Sequence, residues 1–384
     1  MTKIAIVHDY FIQMGGAERV AEELHSIFPE ASMVTTVDMR REIPRAIKNS
    51  PVKTSWMQHL PINQKNHRLY FLLYPFAVNS LDLSDFDLII SSSSGYAKGV
   101  KKKKGAVHIC YCHTPMRWVW RYEDYVAREQ MGKVSKKVLP FLLSGLKKWD
   151  LRAAQQPDFY IANSEVVAQR IREFYKREAI VIPPPIDVER FSIDETDGDF
   201  YLLLSRLSSY KRLDLAVEAC KKLDRPLVVI GDGPLRKQLE EQAGPNTRFL
   251  GRQPDEIVAK YASQCRALIF PGEEDFGMTP LEINAAGRPV IAFNGGGARE
   301  TVIAGKTGVF FKEQTPESLM EAIEEFESLN WNRQALRQHA EKFNRNVFAS
   351  RILDFVGNAA PVVSTNEFLE LKASSTFTVQ KGTA

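Results

Sequence analysis

The sequence of 384 residues has few cysteines and no long apolar run, and both shortages limit what the protein can be. Without an apolar run of about 18 residues, no membrane-spanning helix is predicted. The cysteines form no CxxC pair and no metal-like spacing with histidine, which argues against a zinc site or a disulfide framework. Isolated cysteines beside apolar runs are typical core residues of a protein in a reducing compartment, so we expect a cytoplasmic protein. They are Cys110, Cys112, Cys220 and Cys265.

Several fingerprints of other protein classes are also missing. No GxGxxG follows the first apolar segment, which leaves an NAD-binding domain poorly supported. No Asp-x-Asp pair stands in the context of a metal site, so we expect no metal and no resident cofactor. Interleaved basic and aromatic recognition elements are absent, and we expect no nucleic-acid partner. The chain reaches His8 and Asp9 too soon for a signal peptide, and we expect none.

The composition indicates a globular protein of two domains with unequal charge. Hydrophobic residues make up 44% and charged residues 26%, and the length is enough for two domains of ordinary size. Residues 1–182 hold 27 lysines and arginines against 18 acidic residues, a net charge of +9, whereas the remainder has 24 against 29, or −5. A basic N-terminal half predicts an anionic partner, either a membrane surface or a phosphorylated acceptor.

Both halves alternate short apolar segments with amphipathic ones, which is the pattern of parallel α/β sheets. Apolar residues three and four apart predict helices, among them 16–28, 213–223 and 234–242. Short apolar runs predict five strands in each half, at 3–8, 33–37, 87–91, 107–110, 159–162, 201–204, 227–230, 248–250, 267–270 and 290–292.

Three consecutive prolines at 183–185 cannot lie in a helix or a central strand, so a stiff connector is predicted there. The predicted domains are 1–182 and 199–340, with 183–198 as the linker. A helical stretch follows Trp331, and 341–358 is predicted as the C-terminal helix. Residues 359–384 are polar and small, apart from an apolar patch at 368–371, and are predicted to form a disordered tail.

One segment, from Glu274 to Glu282, is more informative than any other. It follows the apolar run 267–270 and leads into the helix-like stretch 280–286. A strand that ends at a glycine loop and continues as a helix places the loop at the carboxyl edge of a parallel sheet, where ligands bind. Two carboxylates there can accept hydrogen bonds from different hydroxyls of one ligand. The plain alternative is that acidic residues are common near helix N-termini, where the dipole favours them.

The segment Glu274-Asp-Phe-Gly-Met-Thr-Pro-Leu-Glu282 resembles the Glu-x7-Glu motif of retaining glycosyltransferases of family 4. The resemblance extends from residue 4 to about residue 355. The stretch His113-Thr-Pro-Met-Arg-Trp-Val-Trp120 is similar to a segment of bacterial O-antigen and exopolysaccharide mannosyltransferases. The resemblance implies an α/β chain of GT-B fold, with two Rossmann-like domains facing a central cleft. The first would bind the acceptor and the second the nucleotide-sugar donor, and the C-terminal helix would cross back to the first.

Charged residues of the second half receive roles from this resemblance. Glu274 would hold hydroxyls of the donor sugar, and Glu282 the ribose of the nucleotide. Arg206 and Lys211 would hold the diphosphate. Sugar transfer expels a diphosphate whose negative charge grows in the transition state, and two fixed cations can stabilise that charge without a metal. The alternative is a pair of solvated cations at a helix start, although a lysine there opposes the helix dipole.

His113 follows an apolar strand, and the Thr-Pro after it forces an extended exit that would leave the imidazole at the cleft. A lone histidine is otherwise a structural residue. The resemblance implies that His113 contacts the donor sugar near the reacting carbon, so sugar binding is predicted rather than general-base catalysis. Arg117, Trp118 and Trp120 are candidates for the acceptor site because aromatic faces pack against sugar rings. Core packing explains the tryptophans equally well.

Glycines and backbone amides after predicted strands are further candidates for donor binding. Gly15 and Gly16 lie where N–H groups can approach an anion, although a tight turn explains them equally well. The resemblance implies that their loop faces the donor diphosphate and the acceptor. Gly231 either approaches the nucleotide base or forms a strand-to-helix turn. The amides of the carboxylate loop, at a helix N-terminus, complete the set: Phe276, Gly277, Met278 and Thr279.

Two lysine-rich segments, 101–104 and 133–149, have the mixture of cations and large apolar residues found in interfacial segments. Each lysine near an anionic bilayer contributes about 1 kcal/mol. The other interpretation is that 101–104 is a solvated loop and 133–149 a helix packed on its own domain. Docking on a membrane would make the protein peripheral at the inner face of the plasma membrane and would favour a polyprenyl-linked acceptor.

Together these features predict a retaining, metal-independent hexosyltransferase of polysaccharide biosynthesis, with GDP-mannose as the favoured donor and a glycan or lipid-linked oligosaccharide as acceptor. A transferase of the same fold that uses a UDP-sugar, carrying glucose or N-acetylhexosamine, is one alternative. A nucleotide-sugar epimerase, a sugar phosphorylase and a non-catalytic binding protein are others. The predicted catalytic residues are His113, Arg206, Lys211 and Glu274.

Overall fold

The computed structural model describes residues 2–39, 51–64, 66–121, 133–196 and 198–360. The chain divides into two compact units. The first contains the described residues up to Pro185 and those from Arg345 onward, and the second is Ile186–Asn344. The predicted tail, from residue 361 onward, lies outside the described residues.

The first unit is built on a seven-stranded parallel sheet with the order β3-β2-β1-β4-β5-β6-β7. Its strands are β1 Ile4–His8, β2 Ser32–Thr35, β3 Val52–Thr54, β4 Leu88–Ser93, β5 Val107–Cys112, β6 Phe159–Ala162 and β7 Ile180–Val181. Its helices before the change of unit are α1 Gly16–Ile27, α2 Tyr74–Asn79, α3 Arg117–Trp120, α4 Lys133–Ala153 and α5 Glu165–Arg170. Short helical turns are Trp56–His59, His67–Tyr70, Ala97–Gly99 and Ile171–Tyr175.

The second unit is built on a six-stranded parallel sheet with the order β10-β9-β8-β11-β12-β13. Its strands are β8 Tyr201–Leu204, β9 Leu227–Ile230, β10 Thr247–Gly251, β11 Ala267–Phe270, β12 Val290–Phe293 and β13 Gly308–Phe311. Its helices are α6 Leu213–Lys222, α7 Arg236–Gln242, α8 Asp255–Gln264, α9 Met278–Ala285, α10 Ala298–Thr301, α11 Pro316–Glu327 and α12 Arg333–Glu341, with short turns at Val188–Arg190 and Ser209–Lys211. The last helix, α13 Arg345–Ala359, belongs to the first unit.

The chain order reverses at the centre of each sheet. In the first sheet β1 lies between β2 and β4, and in the second β8 lies between β9 and β11. Successive residues of β1 alternate between two apolar clusters, with Ile6 in one and Ala5 and Val7 in the other, because helices cover both faces of the sheet. The carboxyl edge at such a reversal is the place where open parallel sheets bind ligands.

All ten predicted strands are present, with bounds shifted by at most two residues. Three strands are missing from the prediction: β3, β7 and β13. The helix predicted from residue 280 begins earlier, at Met278, since Gly277 serves as its N-cap with a φ of 87°. A helix starting at residue 280 would have placed Glu282 in the first turn, whereas it lies in the second turn of α9.

The predicted linker 183–198 is largely packed into the second unit. Ile186, Val188 and Phe191 are buried in the apolar core of that unit. The backbone N–H of Ile186 donates to the carbonyl of Phe343 at 2.8 Å. The change of unit thus falls directly after the prolines, because the apolar side chains that follow them gain from burial.

The C-terminal helix α13 packs against the core of the first unit. Phe348 and Ile352 lie in the same apolar cluster as Leu24 of α1. Arg345, the first residue of α13, pairs with Glu23 through a 2.7 Å contact from Nε to Oε2. The return to the first unit takes place at Arg345, four residues after the predicted start of this helix at 341.

His108 in β5 should make the stability of the protein fall with decreasing pH. Burial and the nearby charge of Lys102 lower its pKa from 6.5 to about 3. Between pH 6.5 and 3 the unfolded chain therefore binds a proton at His108 that the folded chain does not bind. The contribution of neutral His108 to the free energy of unfolding is fully present above pH 6.5 and declines as the pH falls toward 3. One such group contributes a slope of at most about 1.4 kcal/mol per pH unit.

Urea denaturation at pH 7, 6 and 5 checks this expectation. His108→Gln should show a shallower loss of unfolding free energy than the wild type, because it removes the buried group whose pKa is lowered on folding. The same slope in the His108 variant and the wild type would contradict the assignment, since other titrating groups are common to both proteins.

Candidate functional site

The loops that follow β8 and β11 meet at the carboxyl edge of the second sheet, on either side of its reversal point. Lys211 lies in the first loop and Glu274 in the second, and Lys211 Nζ donates a hydrogen bond to Glu274 Oε1. Both side chains are largely buried, with exposed fractions of 14% and 22%. A Cβ at Gly272 would lie 2.8 Å from the Cα of Lys211, so only glycine permits this approach of the two loops.

Arg206 lies in the same loop as Lys211 but is exposed. Its guanidinium reaches the hydroxyl of Tyr210 at 3.5 Å. The ammonium of Lys211 lies 5.2 Å from the centre of the Tyr210 ring. Lys211 and Arg206 thus lie on one loop at the carboxyl edge of the sheet, and Lys211 contacts Glu274. Binding of a diphosphate by these two cations stays a prediction.

Glu282 is buried on α9 and has a basic partner that sequence reasoning missed. Arg190 Nη2 lies 3.6 Å from Glu282 Oε1, and Arg190 Nη1 lies 3.5 Å from Asp255 Oδ2. The guanidinium also packs over the ring of Phe191 at 4.5 Å. Arg190 belongs to the segment predicted as a linker. The sequence therefore gave no indication that it contacts Glu282, because that contact depends on the linker packing against the second unit.

The carboxylate loop ends in the N-terminus of α9. Gly277 adopts a positive φ of 87° and provides no side-chain cap. Met278 and Thr279 are half-buried, whereas the ring of Phe276 is buried and lies 5.9 Å from that of Phe343. Phe276 therefore contributes packing through its side chain, and donor binding by the four residues 276–279 stays a prediction about their backbone amides.

The glycine-rich segment 295–297 packs against the carboxylate loop, and this contact was not predicted. Gly297 N–H donates to the carbonyl of Glu274 at 2.8 Å. A Cβ at Gly296, whose φ is 59°, would lie 2.3 Å from the same carbonyl oxygen. The run of glycines at 295–297 was a visible signal, because close backbone approach is the usual reason for such a run.

Gly231 follows β9, and its geometry supports the turn interpretation. Its φ is 134°, and a Cβ there would lie 1.9 Å from the carbonyl oxygen of Ser205. The adjacent Asp232 carbonyl accepts from Leu207 N–H at 3.0 Å. Gly231 thus supports the loop that carries Arg206, and its contact with a nucleotide base stays a prediction.

In the first unit, His113 lies directly beyond β5, next to the reversal point of the first sheet. Its backbone N–H donates to the carbonyl of Ser93 at 2.9 Å, and its own carbonyl accepts from Nδ2 of Asn163 at 3.0 Å. Its Nε2 lies 2.8 Å from Ser92 Oγ at the end of β4, and Ser92 Oγ lies 3.1 Å from Nδ1 of His8 at the end of β1. Sequence reasoning found His113 but missed its two partners.

Gly15 and Gly16 begin helix α1, with Gly15 as the N-cap in an extended conformation. Glu18, in the first turn, is buried and folds back toward them, so that a Cβ at Gly15 would lie 3.0 Å from Glu18 Oε2. The turn interpretation therefore has a structural basis. Anion binding by these two glycines stays a prediction.

The predicted acceptor residues lie in the short helix α3, and both tryptophans have packing partners. The Trp118 ring meets Phe71 edge-on at 5.6 Å. Trp120 stacks on Phe174 at 4.8 Å, and its Nε1 donates to Asp150 Oδ2 at 2.7 Å. Arg117 is half-buried. Core packing accounts for the tryptophans, and an acceptor role for the three residues stays a prediction.

The lysine-rich segments lie in a loop and a helix. Lys102 and Lys103 of the loop pair with Asp158 and Asp87. Residues 133–149 fall in α4, which buries Leu143 against the sheet. None of the described helices is both long enough and apolar enough to cross a bilayer.

Metal ligation has no structural candidate in the part of the chain that the structure describes. No group of three or more histidine, cysteine, aspartate or glutamate side chains there could hold an ion. The four cysteines are buried and unpaired, and burial raises the pKa of Cys265 to about 12. Its thiol therefore stays protonated and apolar in character.

Two protein-family models match the chain, and their boundary coincides with the change of unit. Glycosyltransferase Family 4 matches residues 14–190, and Glycosyl transferases group 1 matches residues 185–343. Together they cover the carboxylate loop, the whole second sheet and every strand of the first sheet except β1, which precedes the first match. The chain belongs to the family 4 glycosyltransferases and has the GT-B fold.

Individual relatives agree with this family, and a solved structure shares the fold. An uncharacterized glycosyltransferase of Methanocaldococcus jannaschii is 31% identical over 198 residues, which are 50% of this chain and 56% of the relative. The O-antigen chain mannosyltransferase C of Escherichia coli is 26% identical over 228 residues, 55% of this chain and 58% of the relative. The matches thus span less than two thirds of these relatives. The sucrose-phosphate synthase of Thermosynechococcus elongatus shares the fold, with a TM-score of 0.70 and 17% identity over 93% of this chain and 99% of that chain.

Proposed function

We propose that the protein transfers a hexose from a nucleotide sugar to a glycan or a polyprenyl-linked acceptor, with mannose from GDP-mannose as the favoured substrate. The observation that carries the proposal is the contact between Lys211 and Glu274 at the edge of the second sheet, with exposed Arg206 on the same loop as Lys211. A diphosphate needs fixed cations, and a sugar needs hydrogen-bond acceptors for its hydroxyls. This edge offers both within one pair of loops.

The proposed reaction breaks the bond between the anomeric carbon and the diphosphate oxygen. The electron pair of that bond leaves with the diphosphate, where Arg206 and Lys211 stabilise the added charge. The acceptor hydroxyl oxygen bonds to the anomeric carbon and gives up its proton. For a retaining transferase without a metal, a same-face attack fits best, with the departing diphosphate taking the proton. Glu274, already hydrogen-bonded to a cation, suits hydroxyl binding better than nucleophilic attack.

Glu282 is proposed to hold the ribose of the donor nucleotide. The carboxylate of Glu282 faces the guanidinium of Arg190, and an ionised carboxylate only accepts hydrogen bonds. That property matches the two hydroxyl donors of a ribose. Asp255 shares the same guanidinium, so the three side chains hold one another in place.

The sugar and the acceptor are proposed on different grounds. The His113–Trp120 segment and the O-antigen chain mannosyltransferase relative favour mannose. The positive charge of the N-terminal half favours an anionic acceptor, such as a polyprenyl diphosphate sugar, at the inner face of the plasma membrane. Transferases that use UDP-glucose or a UDP-N-acetylhexosamine stay as the second candidate.

Thermal unfolding of the purified full-length chain with GDP-mannose, UDP-glucose and UDP-N-acetylglucosamine tests the proposal. A donor at 100 times its dissociation constant should stabilise the protein by about 2.7 kcal/mol. We expect GDP-mannose to give the largest shift and Glu282→Gln to reduce it, and Glu324→Gln, at an exposed glutamate of α11, to leave it unchanged.

Product analysis then separates the candidate activities. A transferase releases nucleoside diphosphate when an acceptor is added, and it should do so in the presence of a metal chelator. An isomerised nucleotide sugar would indicate an epimerase, sugar phosphate formed with inorganic phosphate would indicate a phosphorylase, and binding without any product would indicate a binding protein. Absence of a thermal shift with every nucleotide sugar would overturn the proposal.

A further inference from the structure

The three most exposed large apolar side chains of the described residues belong to two helical segments of the first unit. They are Leu69, Phe76 and Phe141, with exposed fractions of 80%, 66% and 78%. A single exposed apolar side chain needs no explanation, but several on one side of a molecule indicate an interaction surface.

Residues 67–79 form one helical run that is apolar on two sides. The turn His67–Tyr70 continues into α2, and within the run Phe76 N–H donates to the carbonyl of Leu73 at 3.0 Å. The inner side is buried in the core and includes Tyr74, Ala77 and Val78. The outer side, three and four residues apart, consists of Leu69, Leu72 and Phe76. The inner side accounts for packing on the sheet, so the outer side is available for a partner.

The helical run and α4 cover the same face of the first sheet. Tyr74 of the run and Leu143 of α4 lie in one apolar cluster with Ala5 of β1. Helices on one face of a sheet turn their outer sides away from it in the same general direction. Phe141, exposed on α4, therefore belongs to the same side of the unit as the outer side of the run. We call Leu69, Leu72, Phe76 and Phe141 the outer apolar surface.

The segments that carry the outer apolar surface are basic and lack acidic residues. Residues 43–81 contain five lysines and arginines and no aspartate or glutamate, and the same is true of residues 133–149. Exposed Arg68 is adjacent to Leu69, and exposed Lys148 follows Phe141 by about two helical turns. Large apolar side chains bordered by cations are the composition of helices that lie on anionic bilayers.

We propose that the outer apolar surface docks on an anionic membrane, with its apolar side chains among the lipid headgroups and with Arg68 and Lys148 near lipid phosphates. The inference deepens the proposed function, which places the acceptor at a membrane, by assigning the surface that reaches it. The basic loop 101–104 is not part of this surface. Its Lys102 and Lys103 pair with carboxylates of the first unit.

Flotation of the full-length protein with vesicles, without donor, tests the surface. We expect binding to vesicles of phosphatidylcholine and phosphatidylglycerol, and weaker binding at high salt because salt screens the charges. Leu69→Ser and Phe76→Ser should each reduce the partition coefficient about 10-fold, the scale of burying one large apolar side chain. Lys148→Gln should reduce it about 5-fold, the contribution of one cation near an anionic bilayer.

Leu329→Ser and Lys237→Gln are the matched controls in the second unit. Leu329 is 38% exposed and the side chain of Lys237 is 90% exposed. Both controls should bind vesicles as the wild type does, and all of these variants should melt near the wild-type temperature because they alter exposed side chains. A wild type that does not bind the vesicles, or binding that Leu69→Ser and Phe76→Ser leave unchanged, would overturn the inference.

A fluorescent label shows which surface meets the lipid while the apolar side chains are kept. The four native cysteines are buried, so Asn79→Cys, at an exposed position one turn after Phe76, can be labelled selectively with an environment-sensitive dye. Its emission should shift to the blue when anionic vesicles are added, whereas the same dye on Lys237→Cys should not respond. A bound protein whose label at position 79 stays in water would show that another surface docks.

Other outcomes separate this inference from its alternatives and from the proposed function. Dimerisation that Phe76→Ser abolishes, without vesicle binding, would identify an interface between copies of the chain and overturn the inference. If vesicles are bound but no nucleotide sugar is, the proposed function fails and the docking surface stands. If sugar is transferred to a soluble acceptor but vesicles are not bound, the transferase stands and this inference is wrong.

Discussion

Lys211→Ala should lower the rate of sugar transfer by about 10²- to 10³-fold, the effect of removing one donor from a preorganised anion site. The ammonium of Lys211 is largely buried, hydrogen-bonded to Glu274 and carried on a loop that glycine contacts hold in place. It is therefore positioned at the sheet edge before negative charge develops on the departing diphosphate. The measurement is kcat at saturating donor, together with the dissociation constant of the nucleoside diphosphate, which should also increase.

Lys222→Ala is the matched control for charge. Lys222 is more exposed and pairs with Glu218 at 2.8 Å and Glu317 at 2.9 Å on the surface of the second unit. Its loss should leave turnover near the wild-type rate. A Lys211→Ala protein that melts at the wild-type temperature, binds donor and transfers sugar at a near-normal rate would show that the role assigned to Lys211 is wrong.

Glu274→Gln separates the two halves of this contact. In the free protein the Glu274 carboxylate competes with any diphosphate for Lys211. A neutral amide competes less, so binding of the nucleoside diphosphate alone should be equal or tighter. Sugar transfer should nevertheless fall, because the amide is a poorer acceptor for the sugar hydroxyls. Diphosphate affinity is therefore expected to fall in Lys211→Ala but not in Glu274→Gln.

The central strands could be predicted because they are covered on both faces and read as short apolar runs. Residues 227–230 and 267–270 are examples, and their predicted and observed bounds agree. β3 and β7 could not be predicted in this way. They are edge strands of three and two residues with partly exposed side chains, so their pairing depends on the sheet beside them. β13 begins with Gly308, which weakens an otherwise apolar signal.

The candidate site divides in a similar way. Lys211 and Glu274 could be predicted because each follows an apolar run, and loops after neighbouring parallel strands meet at one edge. The partnership of His8 with Ser92, 84 residues apart, depends on β1 lying next to β4, and strand order cannot be read from apolar periodicity. Arg190 could not be predicted for a different reason, because a proline-rich connector does not indicate where the residues after it pack.

Lys98→Met should reduce the free energy of unfolding by about 3–5 kcal/mol, because it leaves a buried carboxylate without its cation. Lys98 Nζ lies 2.5 Å from Asp150 Oδ1, and the two side chains are 1% and 0% exposed. The other oxygen of Asp150 accepts hydrogen bonds from Trp120 at 2.7 Å and Tyr175 at 2.8 Å. These two neutral donors cannot replace a positive charge. Urea denaturation at pH 7 measures the loss.

Two comparisons identify the ion pair as the cause. Adding Asp150→Asn to Lys98→Met removes the stranded charge while keeping an acceptor, so the double variant should be more stable than Lys98→Met alone. Lys103→Met, which breaks a more exposed pair with Asp87, should cost less than about 1 kcal/mol. If Lys98→Met costs no more than Lys103→Met, the buried pair does not have the importance assigned to it.

Alkaline pH offers an independent check on the same pair. Burial is the largest single influence and lowers the pKa of Lys98. The attraction and hydrogen bond of Asp150, together with smaller contributions from Cys112 and Asp9, outweigh it, so the net pKa lies above its ordinary value of 10.5. The folded chain therefore holds a proton that the unfolded chain releases first, and the stabilising effect is complete below pH 10.5 and lost as the pH rises through the raised pKa. The stability difference between wild type and Lys98→Met should accordingly stay constant from pH 7 to 9 and shrink above about pH 10.5. A difference that shrinks already below pH 9 would mean that Lys98 loses its proton despite Asp150, and that the pair is weaker than its burial implies.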